Sequence, residues 1–167
     1  MTNVFLASDH RGFSLKNQLF SDLVRMGNNF SSPIKPVDLG PSSLDPEDDF
    51  NDAALKVSKE ILKEKNGPAF GIVICGSSAG VCIQANRLKG IRAASALDLD
   101  MIKSARNDDD INVLCLSANH LNSAKDPLET EKAYEDIFAL VETFLNTPFS
   151  DEERYVRRIK RLDEEVK

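Results

Sequence analysis

The sequence has no apolar run near the roughly 18 residues that a membrane helix requires, and it has no excess of positive charge. Its 21 lysines and arginines face 27 acids, a net charge of −6. Neutralising a phosphate backbone takes a basic face, so a nucleic-acid partner is excluded, whereas a small anion needs only a few converging cations. The opening residues, MTNVFLASDH, carry neither the basic start nor the long apolar stretch of a secretory signal. The three cysteines, Cys75, Cys82 and Cys115, are odd in number and lack Cys-x-x-Cys or Cys/His metal spacing. Together these absences predict a reduced, cytoplasmic, metal-free chain. Familiar phosphate loops are missing too. There is no Gly-x-Gly-x-x-Gly and no Gly-Lys-Ser/Thr ending, and a Cys-x5-Arg loop from Cys75 fails because Val81 occupies the arginine position.

What is present is ordinary globular composition. The 167 residues, 41% hydrophobic and 29% charged, suffice for one domain with a full core and are too few for two comfortable ones. Short β-branched apolar runs alternate with stretches of helical period. Strands are predicted at 4–8, 36–40, 69–76, 91–96 and 112–117, and helices at 12–26, about 51–65, about 79–88, around 98–107 and 129–145. The helices turn inward Phe13, Leu15, Leu19 and Leu23, then Ala54, Val57, Ser58, Ile61 and Leu62, then Ile137, Phe138, Val141, Phe144 and Leu145. AFGIVICG (69–76) reads as a strand buried on both faces. This order predicts an α/β fold, a three-layer α/β/α, Rossmann-like arrangement around a mostly parallel five-stranded sheet. Residues 27–49 hold the loosest loops. Pro148 stops the last core helix, so the domain spans 1–147 and 148–167 forms a C-terminal helical arm. Ser150 with Glu153 gives the arm a capping-box start. Its thin stripe of Tyr155, Val156, Ile159, Leu162 and Val166 suits docking on its own domain or on a second subunit.

Ligands of open parallel sheets bind at the carboxyl ends of strands, and the first and third strand ends here carry chemistry. After the first strand comes Ser8-Asp9-His10-Arg11-Gly12; taken alone, it is better explained by Asp9 or Ser8 capping the next helix than by ligand binding. After the third comes Cys75-Gly76-Ser77-Ser78-Ala79-Gly80, a thiol leaving a buried strand into a small-residue loop and then a helix. Backbone N–H groups at such a turn form an anion nest, and the same positive end favours a thiolate. A base and an oxyanion hole would lie side by side; an inert buried cysteine accounts for Cys75 about equally well. Cys82 and Cys115 fall inside a helix and a strand and read as core. On the terminal helix Arg154 and Arg158, with Arg157 nearby, stand one turn apart, a spacing that clamps a phosphate. A solvated face balanced by Glu152, Glu153, Asp163 and Glu164 explains them more simply.

As a set, these residues resemble the type B ribose-5-phosphate isomerases, a family that includes galactose- and allose-6-phosphate isomerases. Asp9-His10-Arg11-Gly12-Phe13-Ser14-Leu15-Lys16 matches the family's opening Asp-His-x-Gly-Phe-x-Leu-Lys. Gly71-Ile72-Val73, Cys75-Gly76-Ser77, Ala85-Asn86-Arg87 and Gly90-Ile91-Arg92-Ala93 follow its central motif. Asn112-Val113-Leu114 matches its last core strand and Arg154-x-x-x-Arg158 its tail. The similarity covers nearly the whole chain apart from 27–49. It implies an aldose–ketose isomerase of the pentose phosphate pathway that interconverts ribose 5-phosphate and ribulose 5-phosphate through a cis-enediolate, with no metal or organic cofactor. It also implies Cys75 as the base, and the Ser77 hydroxyl with the amides of Gly76, Ser78, Ala79 and Gly80 as the oxyanion site. Asp9 would bind substrate hydroxyls, and His10, Arg154 and Arg158 the phosphate. The arginines would arrive from the partner in a homodimer or dimer of dimers with shared active sites.

Three positions depart from the pattern. The family carries His-Asn before the last core strand, the histidine opening the sugar ring, and Asp108-Asp109 stand there instead. Asp108 is thus the candidate ring-opening group and Asp109 a candidate substrate contact. A carboxylate's ordinary pKa lies far below that of histidine, so another residue or spontaneous opening are the alternatives. Asn119 stands where the family has a phosphate-binding arginine, with His120 beside it as a partial substitute or a plain surface residue, and Ser78 replaces the second loop glycine. Six-carbon sugar phosphates fit the same chemistry. A sugar-phosphate-binding relative without turnover, and a scaffold using the acidic surface and the arm, are the readings from other functional classes.

Overall fold

The structure, a computed structural model, describes residues 1–95 and 97–165. Ala96, assigned to the fourth strand, and Val166, in the stripe of the arm, lie outside the described residues. Five strands form one sheet: β1 (Thr2–Ser8), β2 (Ile34–Asp38), β3 (Ala69–Cys75), β4 (Ala93–Ser95) and β5 (Val113–Ser117). The order is β2-β1-β3-β5-β4 and every pairing is parallel.

Alternation of side chains across the strands feeds two cores, which is why these runs are continuously apolar. Val4, Leu6, Ile72, Ile74, Leu114 and Leu116 pack with Leu15, Leu19 and Leu23 of α1 (Phe13–Met26), Ile102 of α4 (Leu99–Asp109), and Ile137, Val141 and Phe144 of α6 (Pro127–Asn146). Phe5, Ala7, Val73, Cys75, Val113 and Cys115 face Ala53, Ala54, Val57 and Ile61 of α2 (Phe50–Lys63), with Val81 and Ala85 of α3 (Ala79–Ala85). Leu62 was expected inward but is 45% exposed, because the stripe of Ala54, Val57, Ser58 and Ile61 already fills the α2 face. Phe13, Phe138 and Leu145 are only partly buried. A short helix, α5 (Ala118–Asn122), follows β5 where the sequence signals none.

The chain runs from β1 outward to β2 and returns past β1 to β3. That reversal makes the carboxyl ends of β1 and β3 the switch-point crevice. Buried Lys16 ties α1 to the end of β2 and the loop that follows it. Its Nζ donates to Asp38 Oδ1 and Oδ2 at 2.8 and 2.7 Å and to the Pro41 carbonyl at 3.0 Å, so all three ammonium protons are accepted. The loop 39–49 departs from this anchor.

The arm forms α7 (Glu153–Glu165), starting later than the capping box predicts. The Ser150 hydroxyl lies 3.4 Å from the Glu152 amide, too long to nucleate a turn well. The helix lies on its own chain. Tyr155 is buried, the Ser150 amide donates to the Asn107 carbonyl at 3.1 Å, and the Gly90 amide donates to Asp163 at 3.0 Å. Among the described residues no helix is long and apolar enough to cross a membrane.

Candidate active site

The turn after β1 is built to sit close to β3. The Asp9 amide donates to the Ile74 carbonyl at 3.1 Å, and a Cβ on Gly12 would stand 2.7 Å from Ile74 Cγ2, so only glycine fits there. Asp9 caps the 3-10 turn 10–12, its Oδ1 accepting from the amides of Arg11 and Gly12 at 2.9 and 3.1 Å. One carboxylate oxygen is thereby committed to structure. At His10, both the main-chain N–H and ring Nδ1 bond Asp48 Oδ1, at 2.9 and 2.7 Å. With Nδ1 turned to the carboxylate, Nε2 is the nitrogen left for a ligand. Asp48 comes from the loop 39–49 and had no distinguishing mark in sequence among the acids of 45–49.

Cys75 ends β3 at 4% exposure. The loop behind it holds Ser78 at φ 65°, ψ −22°, the left-handed region that glycine favours. The serine at the expected glycine position therefore keeps a glycine-like backbone, with its hydroxyl donating to the Ser77 carbonyl at 2.5 Å. Helix α3 begins at Ala79, and its first amides have no intrahelical acceptors. Gly80 lies under Phe50, whose ring would be 2.9 Å from an added Cβ. The Gly76 carbonyl accepts from the Ser117 hydroxyl at 2.7 Å and the Asn119 amide at 2.9 Å, tying the loop to β5. A cavity of about 650 Å³ opens beside the loop, lined by residues that include Ser77, Ser78, Ser95, Ser117, Asn119 and His120. That volume lies within the usual range for small-molecule sites.

The two other cysteines form a pair. A hydrogen bond with Cys115, aided by the Ser95 hydroxyl and amide against the cost of burial, pushes the half-buried Cys82 thiol down to about 6. Asn86 Nδ2 stands 3.7 Å from the Cys82 sulfur. The same contact and its burial push the Cys115 thiol up. Cys115 is buried in the core, and Cys82 packs partly buried against the same cluster, its thiol donating to the Ala93 carbonyl at 3.4 Å.

Asp108, Asp109, Arg154 and Arg158 collect elsewhere, where α4 meets α7. Asp108 accepts from Asn107 Nδ2 at 2.7 Å and from the Tyr155 hydroxyl; burial and then this bond push the tyrosine up. The guanidinium carbons of Arg154 and Arg158 lie 4.5 and 5.6 Å from the Tyr155 ring centroid, and Arg154 Nε pairs with Glu152 at 2.9 Å. Asp109 lines a shallow depression with Asp98, Met101 and Ser104. Among the described residues no hydrogen bond or ion pair joins this group to Cys75 or His10.

The sequence model of the Ribose/Galactose Isomerase family matches residues 4–162. The chain belongs to this family. A Mycoplasma genitalium protein named probable ribose-5-phosphate isomerase B is 34% identical over 160 residues, covering 96% of this chain and 93% of its own. The crystal structure of ribose-5-phosphate isomerase B from Mycoplasma genitalium with bound ribulose-5-phosphate superposes with a TM-score of 0.81 at 32% identity, over 98% of this chain and 95% of that one. A ribose 5-phosphate isomerase from Thermotoga maritima gives 0.79 at 36% identity, over 97% of both.

The chain is therefore an isomerase with the α/β architecture of these enzymes. As a ribose/galactose isomerase it presents two separate sets of polar groups. One, at the switch point, offers a thiol, an imidazole nitrogen and a turn of backbone amides. The other offers two guanidinium groups and two carboxylates.

Proposed function

We propose that this isomerase interconverts ribose 5-phosphate and ribulose 5-phosphate through a cis-enediolate, with Cys75 as the base. The observation that carries this reading is position: Cys75 ends β3 at the switch point and runs directly into a left-handed turn and the free amides of α3. The Cys75 thiolate takes the proton from C2 of the open-chain aldose, and the electron pair moves through C1 onto O1. The amides of Gly76, Ser78, Ala79 and Gly80 and the Ser77 hydroxyl stabilise the oxyanion. A proton passes from O2 to O1, and Cys75 returns its proton to C1, leaving the ketone at C2. The ribulose-5-phosphate bound to the Mycoplasma genitalium relative supports the five-carbon substrate.

Asp9 holds substrate hydroxyls through its second oxygen, and His10 meets the phosphate through Nε2. Asp108 opens the ring, Asp109 contacts the sugar, and Arg154 and Arg158 grip the phosphate. These last four lie apart from Cys75 in one chain, so a homodimer, in which α4 and α7 of one subunit complete the crevice of the other, brings the sets together. The reading places the enzyme in the pentose phosphate pathway of the cytoplasm. Purified protein given ribose 5-phosphate, galactose 6-phosphate and allose 6-phosphate without added metal tests it. Ribose 5-phosphate is expected to give the highest kcat/KM, and turnover of a six-carbon phosphate alone would contradict the substrate assignment.

A further inference from the structure

We propose that Arg11 is a phosphate-binding residue of this site, its guanidinium carried by the first loop to the carboxyl end of β5 and held there by Asn119. The proposal rests on the sugar-phosphate reading above. The Arg11 side chain lies flat across Gly76: a Cβ on that glycine would stand 2.7 Å from Arg11 Nε, 3.0 Å from Cδ and 3.2 Å from Cζ. Arg11 Nη2 donates to Asn119 Oδ1 at 2.7 Å. Asn119 is fixed in turn, its backbone N–H donating to the Gly76 carbonyl at 2.9 Å. A bare glycine and a tethered amide thus form a track that leads the guanidinium from β1 over the thiol loop to β5.

The charge on that track is uncompensated. Arg92 and Arg106 share Asp110 at 2.6 and 2.7 Å, whereas Arg11 is exposed and forms no ion pair among the described residues. The nearby acids are turned elsewhere, Asp9 to the amides of its own turn and Asp48 to His10. Asn119 occupies one of the five guanidinium protons. The guanidinium makes no other hydrogen bond among the described residues, it lies against the thiol loop at Gly76, and a planar fork of donors suits a phosphate monoester. Position 119, where the resemblance expects an arginine, supplies instead the side-chain oxygen that accepts from an arginine of the turn after β1.

The test compares the native chain with Arg11→Ala, Arg11→Lys and the double variant Arg11→Ala/Asn119→Arg. Calorimetry reads binding of ribose 5-phosphate and of inorganic phosphate, steady-state kinetics reads turnover, and thermal midpoints verify folding. Arg11→Ala is expected to weaken both ligands about ten- to hundredfold, the scale of one charge-assisted hydrogen bond, and to raise KM with kcat little changed. Arg11→Lys recovers part of this, because a point charge lacks the fork, and the double variant recovers most of it. Native affinity in Arg11→Ala overturns the proposal, as does a loss that the returned arginine fails to repair. Native turnover with an unaffected Arg11→Ala removes only the Arg11 assignment. Binding that depends on Arg11 without turnover sustains it and removes the isomerase reading, and a native chain that neither binds nor turns over removes both.

Discussion

Replacing Asp38 with alanine strands the ammonium of Lys16. In the native chain that group is fully buried and holds three acceptors, two of them the oxygens of Asp38. Removing one partner of a buried pair costs about 3–5 kcal/mol. The Asp38 side chain is 30% exposed, so water reaches the vacated space and the lower end applies, about 3 kcal/mol. For a domain of this size each kcal/mol moves the midpoint by about 2–4 °C, so a fall of about 6–12 °C is expected. Lys16→Met removes the buried charge itself. It leaves a carboxylate that still meets solvent and the Gly40 amide at 2.8 Å, so its cost is about 1 kcal/mol. The double variant should then recover about 2 kcal/mol of the Asp38→Ala loss, a coupling that urea unfolding of the three variants measures. An Asp38→Ala loss under about 0.5 kcal/mol, or a double variant as unstable as Asp38→Ala, would refute the reasoning.

Two further outcomes follow from shifted groups. Cys82, pushed down to about 6, should be alkylated by iodoacetamide with a half-maximal rate near that pH while Cys115 stays unlabelled; peptide mapping that shows Cys82 labelling only above about pH 8 contradicts the contact with Cys115. The Tyr134 hydroxyl, 2.5 Å from Asp22 Oδ2, is the largest cause holding Asp22 below its usual range. A carboxyl with a lowered folded pKa adds stability above its unfolded value, near 4, and that stability is lost as pH falls through the folded value. Tyr134→Phe should therefore cost about 1 kcal/mol at neutral pH and progressively less below about pH 4. A gap between the two proteins that stays constant into acid would count against this.

The sheet and the thiol loop were legible because their signals are local. A strand buried on both faces shows as an unbroken apolar run, and a thiol followed by small residues marks a strand-to-helix turn. Sequence spacing says little about contacts across the sheet, since strand order is not written in one chain. The bond from Arg11 to Asn119 spans 108 positions and that from His10 to Asp48 spans 38, and neither partner stands out alone. The five-residue α5 is too short to show a period. The start of α7 was misplaced because a capping-box pattern does not guarantee its hydrogen bond. The capping reading of Asp9 and its reading as a ligand proved compatible, because capping uses Oδ1 alone.

The most direct test of Cys75 as the base is exchange of the C1 proton of ribulose 5-phosphate in deuterated water, followed by NMR. This reports proton abstraction whether or not the sugar ring later closes. Because a thiol proton exchanges with solvent while the enediolate is held, the native chain should place deuterium at C1 of recovered ribulose 5-phosphate and at C2 of the ribose 5-phosphate it forms. Cys75→Ala should do neither above background, yet bind ribose 5-phosphate with near-native affinity and unfold at a near-native midpoint. Exchange by Cys75→Ala at a rate close to the native one would contradict the account.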